Sequence, residues 1–143
     1  MINEDYCSYE VAKLLEDNGF PIGEHLLMYV NKDGKLMTDH QACLTMTNDE
    51  YRKFFDNYIP TVTQALAMKW LREKHNIHIS ANPIVDYVED ADGRKYMENV
   101  YWAFDFMNSE SGEFIETPNN DYQFGTYEEA VEAALKYSLE NLI

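Results

Sequence analysis

Apolar positions recur along this chain with two different periods, and the switches between them mark its elements. From Thr61 to Ile79 (TVTQALAMKWLREKHNIHI) the spacing is first helical: Val62, Leu66 and Trp70 recur every fourth residue, with Ala67 and Leu71 beside them. At 3.6 residues per turn these positions cover about half of a helix circumference, and Lys69, Arg72 and Glu73 fall mainly outside that arc. Thr61 and Gln64 fit a capping box, Pro60 suits the position just before it, and Asn76 suits a left-handed stop. Ile77, His78, Ile79, Ser80 and Ala81 then alternate, the pattern of a strand with one buried face. Trp70 is expected to be the largest contributor to the hydrophobic side that helix and strand share.

The same reading extends along the rest of the chain. Ser8 caps a first helix with Val11, Ala12, Leu14 and Leu15 as its buried stripe, and Asn18-Gly19 followed by Phe20 and Pro21 ends it. Leu26 to Val30, the Asn31-Lys32-Asp33-Gly34 turn and Leu36-Met37 read as a β-hairpin. Residues 39–47 give no clear pattern. Thr47 and Glu50 form a capping box that opens a short helix with Tyr51, Phe54, Phe55 and Tyr58 on one face, closed by Pro60. Beyond the central strand, Asn82-Pro83 is expected to interrupt the ladder before extended structure resumes at Ile84 to Val88. Asp90-Ala91-Asp92-Gly93 turns into the longest strand candidate, Tyr96 to Met107, which is apolar in both parities. Asn108 to Gly112 turns again into a shorter strand at Phe114-Ile115. Thr126 and Glu129 make a third capping box before a helix carrying Tyr127, Ala130, Val131, Ala134, Leu135, Ser138 and Leu142.

This order predicts an α+β fold in one domain, residues 1–143. An antiparallel meander sheet, with strands near 77–88, 95–107 and 113–117, is packed by helices near 62–75 and 127–142, and an N-terminal helix and small hairpin precede it. A strand apolar on both faces is usually covered on both sides. The N-terminal half or a second copy of the chain is expected to supply the second cover.

Composition narrows the partners. The chain has 143 residues, 45% of them hydrophobic and 14% aromatic, enough for one core. No apolar run approaches the roughly 18 residues of a membrane span, and the acidic MINEDYCSYE start lacks the pattern of a signal peptide. A cytoplasmic location follows as the expectation, with Cys7 and Cys43 as free thiols. The net charge of −15 is uneven: residues 1–85 hold 12 acids and 8 bases, giving −4, and residues 86–143 hold 14 acids and 3 bases, giving −11. Such a field repels phosphates and anionic membrane surfaces, so neither direct nucleic-acid binding nor a membrane partner is expected.

The candidates for chemistry are few. His40 and Cys43, then His75 and His78, each place two metal-ligand types three residues apart, and together they offer the four ligands of a tetrahedral zinc site. Against it, His75 falls at a helix end and His78 on a strand. Calcium fits neither Asp90-x-Asp92-Gly93 nor Asn31-x-Asp33-Gly34, because the first and last positions of a calcium loop would carry the wrong residues. No nucleophile elbow, phosphate-binding glycine loop or dinucleotide fingerprint occurs. No cofactor is expected.

Two stretches, WLREKHNIHI and TYEEAVEAALKYSLENLI, carry a resemblance. The chain resembles a group of small uncharacterised proteins encoded by Bacteroides-type gut bacteria and their phages. VAKLLEDNGF and LLMYVNKDGKLM match the opening helix and hairpin of that group, so the likeness covers roughly residues 8–37, 60–79 and 125–143. It implies a cytosolic protein related to phages or mobile elements, and it brings neither an activity nor a site residue.

The leading expectation is a non-enzymatic, acidic interaction domain that binds another protein or itself. Eleven tyrosines, many of them between Tyr96 and Tyr127, suit a binding face. One version is an inhibitor that mimics DNA with its acidic half. A metal-dependent or small-molecule enzyme built on the His/Cys set is the alternative class.

Overall fold

Each long helix starts where a short polar side chain can satisfy a free backbone N–H. In the computed structural model, which describes residues 4–22, 27–117 and 123–143, helix α1 (Tyr9–Asp17) is capped by the Ser8 hydroxyl, which accepts from the Val11 N–H. It ends at Asn18 and Gly19 (φ 84°), and Phe20 folds back to donate its N–H to the Leu15 carbonyl. Helix α6 (Tyr127–Asn141) is capped by Thr126, whereas the Glu129 carboxylate accepts from the Gly125 N–H, one residue before the box position.

Between them the chain builds two three-stranded antiparallel sheets. The first, in the order β2-β1-β3, joins β1 (Met28–Asn31), β2 (Leu36–Met37) and β3 (Tyr58–Thr61). The second, in the order β4-β5-β6, is the expected meander: β4 (Ile77–Glu89), β5 (Lys95–Asn108) and β6 (Phe114–Ile115). The N-terminal hairpin is present as β1 and β2, while Leu26, the start of its apolar run, lies outside the described residues.

Strand β3 and helix α2 (Asp39–Thr45) are additions to the sequence reading. The unpatterned stretch 39–47 is largely helical because Thr38 and Gln41 form a full capping box. The single helix expected after Thr47 is instead α3 (Asn48–Arg52), with its predicted Thr47/Glu50 box, followed by α4 (Phe54–Asn57). Tyr58 to Thr61 then pairs with β1, with Pro60 opposite Tyr29. Pro60 therefore lies within a strand; β3 is at the sheet edge, where a missing N–H need cost no ladder bond.

The start of the central helix shifts for the same reason. Thr61 is buried in β3 and donates to the Cys7 carbonyl, so Thr63 caps α5 (Gln64–His75) by accepting from the Leu66 N–H. Asn76 stops the helix in the left-handed region as expected, with φ 55°. Gln64 forms no box. It is buried, and its amide donates to the Glu132 carboxylate at 2.9 Å and to the Glu128 carbonyl at 3.1 Å. The other Glu132 oxygen accepts from the Ser8 N–H at 2.8 Å, so one carboxylate ties α6 to α5 and to the cap of α1.

The main core lies where α1, α5 and α6 meet the inner ends of β4 and β5. Leu15, Leu71, Phe106 and Leu135 are fully buried there, joined by Val11, Ala67, Ile77, Ile79 and Val131. Trp70 is only half-buried, edge-on to Phe20 at 5.4 Å and to His75 at 4.7 Å; Ala67 and Leu71 are the deepest contacts of α5. A second, smaller cluster of Tyr29, Met37, Ala42, Phe54 and Tyr58 lies with the first sheet, α2 and α4. Among the described residues no helix is long and apolar enough to cross a membrane.

Candidate functional site

The length of the β4–β5 ribbon decides what the fold leaves exposed. Thirteen residues of β4 extend about 43 Å at the rise of a strand. The 12 residues of α5 and the 15 of α6 cover about 18 Å and 22 Å at the rise of a helix. The ribbon outruns both helices. Register and alternation put Ile77, Ile79, Ala81 and Pro83 of β4 on one face with Phe106, Phe104 and Trp102 of β5, and this face meets the core.

Cover ends at Trp102, whose ring meets Tyr127 of α6 edge-on at 5.5 Å. Its backbone also exchanges both hydrogen bonds with Phe124. Beyond this row the helix-facing side carries Val85 and Val100, then Tyr87 and Met97 across a bulge between Asp86 and Tyr87. Val100 is 49% exposed, Met97 58% and Tyr87 66%. The opposite face carries Ile84 with Tyr101 and Val88 with Tyr96. The two-sided apolar pattern is thus real, but its outer half is a projecting arm with neither face covered by the described residues. The expected interruption at Pro83 is absent: β4 runs through it opposite Trp102, and there too Pro stands on an edge strand.

The arm turns at Asp90 to Gly93. The Asp90 carboxylate accepts from the Asp92 and Arg94 N–H groups, and Gly93 adopts φ 78°. Asn31 builds the other turn in the same way, accepting from Asp33 and Lys35, with Gly34 at φ 84°. In both loops the side chain that resembled a calcium ligand is occupied in shaping the turn.

The four expected metal ligands are distributed over three elements. His40 and Cys43 are exposed on α2; His75 ends α5 against Trp70; His78 lies on β4 opposite Met107, on the face away from the core. Among the described residues no group of three or more His, Cys, Asp or Glu is placed to hold a metal ion, so the four do not assemble into one site. The Tyr51 hydroxyl donates to Asp39 at 2.9 Å, and its hydrogen bonding with Cys43, then Asp39, pushes its acidity far to the alkaline side. Cys7 is 1% exposed, and burial, reinforced by the Glu132 carboxylate, pushes its thiol well above its ordinary value. That is the reverse of an activated nucleophile.

The concavities are open rather than enclosed, and most are lined mainly by apolar surface. One of about 470 Å³ is lined by Asn31, Lys32, Asp33, Asp56, Asn57 and Tyr58 at the first sheet's turn, without His, Cys or Ser. Among the described residues the acids of 86–143 are spread over the arm, Asp105 on β5, the β5–β6 turn, Glu116 beyond β6, and α6, and Glu129 and Glu132 face backbone N–H groups. The arm groups Tyr87, Tyr96, Met97 and Val100 on one ribbon, whereas the other strongly exposed apolar side chains, such as Leu44, Phe55 and Phe114, lie elsewhere. Sequence signalled its strands and its turn; what it concealed was the mismatch in length with the helices. No family model, curated protein or solved structure matches this chain.

Proposed function

We propose that this chain is a non-enzymatic protein-interaction domain whose working surface is the β4–β5 arm. The observation that carries this reading is the exposure of Tyr87, Tyr96, Met97 and Val100 together on one projecting ribbon. A two-stranded ribbon is marginally stable alone in water, and three or more strands or a packed helix are needed to hold it. Covering it with another polypeptide removes apolar area worth about 25 cal/mol per Å² from water. Tyrosine and methionine are the residue types enriched at such contacts. The sequence resemblance adds the setting: a cytoplasmic protein of phage or mobile-element origin.

The test is co-purification from the cells that naturally make the protein, comparing the wild type with Tyr87→Asp and Val100→Asp. A defined polypeptide retained by the wild type and lost by both variants, at unchanged melting temperature, is the expected result. Equal retention by all three chains would remove the arm from the interaction.

A further inference from the structure

The arm and the outer face of α5 carry opposite net charge. The arm carries Asp86, Glu89, Asp90, Asp92 and Glu98 against Arg94 and Lys95, a net −3. Helix α5 carries Lys69, Arg72 and Lys74 against Glu73, a net +2 in a chain of −15, of which Lys69, Glu73 and Lys74 stand at the groove and Lys69 pairs with Glu73 at 3.9 Å. Phe20, Leu66 and Trp70 line a groove of about 210 Å³ there, flanked by Lys69, Glu73 and Lys74. That is below the roughly 300–1,000 Å³ of small-ligand pockets, and it suits a single side-chain anchor of the kind that dominates protein interfaces.

We propose that the arm's partner is a second copy of this chain: Tyr87 of each protomer enters the Phe20–Trp70 groove of the other, in a reciprocal arm-exchanged dimer. This rests on the reading of the arm as an interaction surface and names its partner. Tyr87 is the most exposed aromatic on the arm, and Glu89 lies two residues on, along the same strand face, where it meets Lys69 and Lys74. The arm cannot serve its own groove. Tyr87 stands ten residues along β4 from Ile77, about 33 Å from the end of α5, and so beyond the roughly 18 Å length of that helix. A two-fold arrangement makes the contact twice and leaves no open arm to propagate a filament.

Sedimentation velocity on the full chain at about 0.15 M salt, where screening acts over roughly 8 Å, tests this. The wild type is expected as a dimer. Glu89→Lys/Glu98→Lys reverses the arm and Lys69→Glu/Lys74→Glu reverses the groove; each alone should weaken dimerisation at least about tenfold with an unchanged circular dichroism spectrum. Mixing the two variants should restore a heterodimer, because both contacts then pair opposite charges. A monomeric wild type, or a dimer indifferent to both reversals, overturns the proposal. If the wild type is monomeric while the arm still retains a foreign polypeptide in co-purification, self-association fails and the interaction reading survives. If neither association depends on the arm, both fail.

Discussion

Trp102 meets Tyr127 edge-to-face, with ring centroids 5.5 Å apart and planes at 84°, and this contact marks where helical cover of the second sheet stops. On the core side Phe106 is fully buried; on the other side Val100 is 49% exposed. One strand therefore supplies both the core of the fold and its candidate binding surface.

Substitutions along β5 and β4 should separate these roles. Phe106→Ala is expected to cost about 3–5 kcal/mol in urea unfolding, as for a buried aromatic. Tyr87→Ser, on the arm, should stay within about 0.5 kcal/mol of wild type when both are unfolded at concentrations low enough to keep the chain monomeric. Trp70→Ala should fall between them, below about 3 kcal/mol, because its ring is only partly buried. An arm substitution as costly as Phe106→Ala in the monomer would mean that the arm packs against its own chain.

Glu132 holds three helical elements together through two hydrogen bonds, to Ser8 and Gln64. Glu132→Leu is expected to lower stability by about 1.5–3 kcal/mol, the range for hydrogen bonds to a charged group. Denaturant unfolding measures it, and a loss under 0.5 kcal/mol (roughly the scatter of surface substitutions) would show that the ends of α1 and α5 are held by apolar packing alone.

Burial raises the Cys7 thiol above its ordinary 9.0, and the Glu132 charge adds to this. The folded chain thus holds this proton more tightly than the unfolded one. The resulting stability is complete below the unfolded value and is lost as pH rises toward the folded one. Stability should begin to fall near pH 9, by at most about 1.4 kcal/mol per pH unit, before the tyrosines of the unfolded chain titrate near 10. In Cys7→Ala the decline between about pH 9 and 10 should flatten. Equal slopes in the two chains would assign the decline to other groups.

The two thiols should also differ in reach. Cys43 is exposed and Cys7 buried, so iodoacetamide is expected to modify the native chain once, at Cys43. Denaturation should open the second site. Rapid native labelling of both cysteines, read by peptide mass, would mean that the segment around Cys7 opens readily.

Much of this fold was legible because local signals agreed with the tertiary outcome. The Ser8 and Thr47 caps, the Asn76 stop, the Asp90–Gly93 turn and the three-strand meander all follow from side chains acting on their own backbone. The misreadings came from prolines and from lengths. Pro60 and Pro83 read as breakers, yet each lies in an edge strand where a missing donor is tolerated. Tyr58 to Val62 is rich in aromatic and β-branched residues, a strand signal that Pro60 obscured. Thr38 and Gln41 already carried the capping box of α2. The His/Cys set shows the opposite limit: equal spacing along a chain does not bring α2 near the α5–β4 corner. The arm itself required comparing strand and helix rises, since periodicity shows that a face is apolar and not whether anything covers it.

A photo-crosslinking scan in the cells that make this protein tests the arm most directly. The reactive residue would replace Tyr87, Met97 or Val100 on the arm, and Lys13, Lys53 or Glu140 on the body. Defined crosslinked species from the three arm positions and none from the body, with the captured chain identified by mass, is the expected result. Crosslinks confined to the body positions would contradict it and move the interaction surface off the arm.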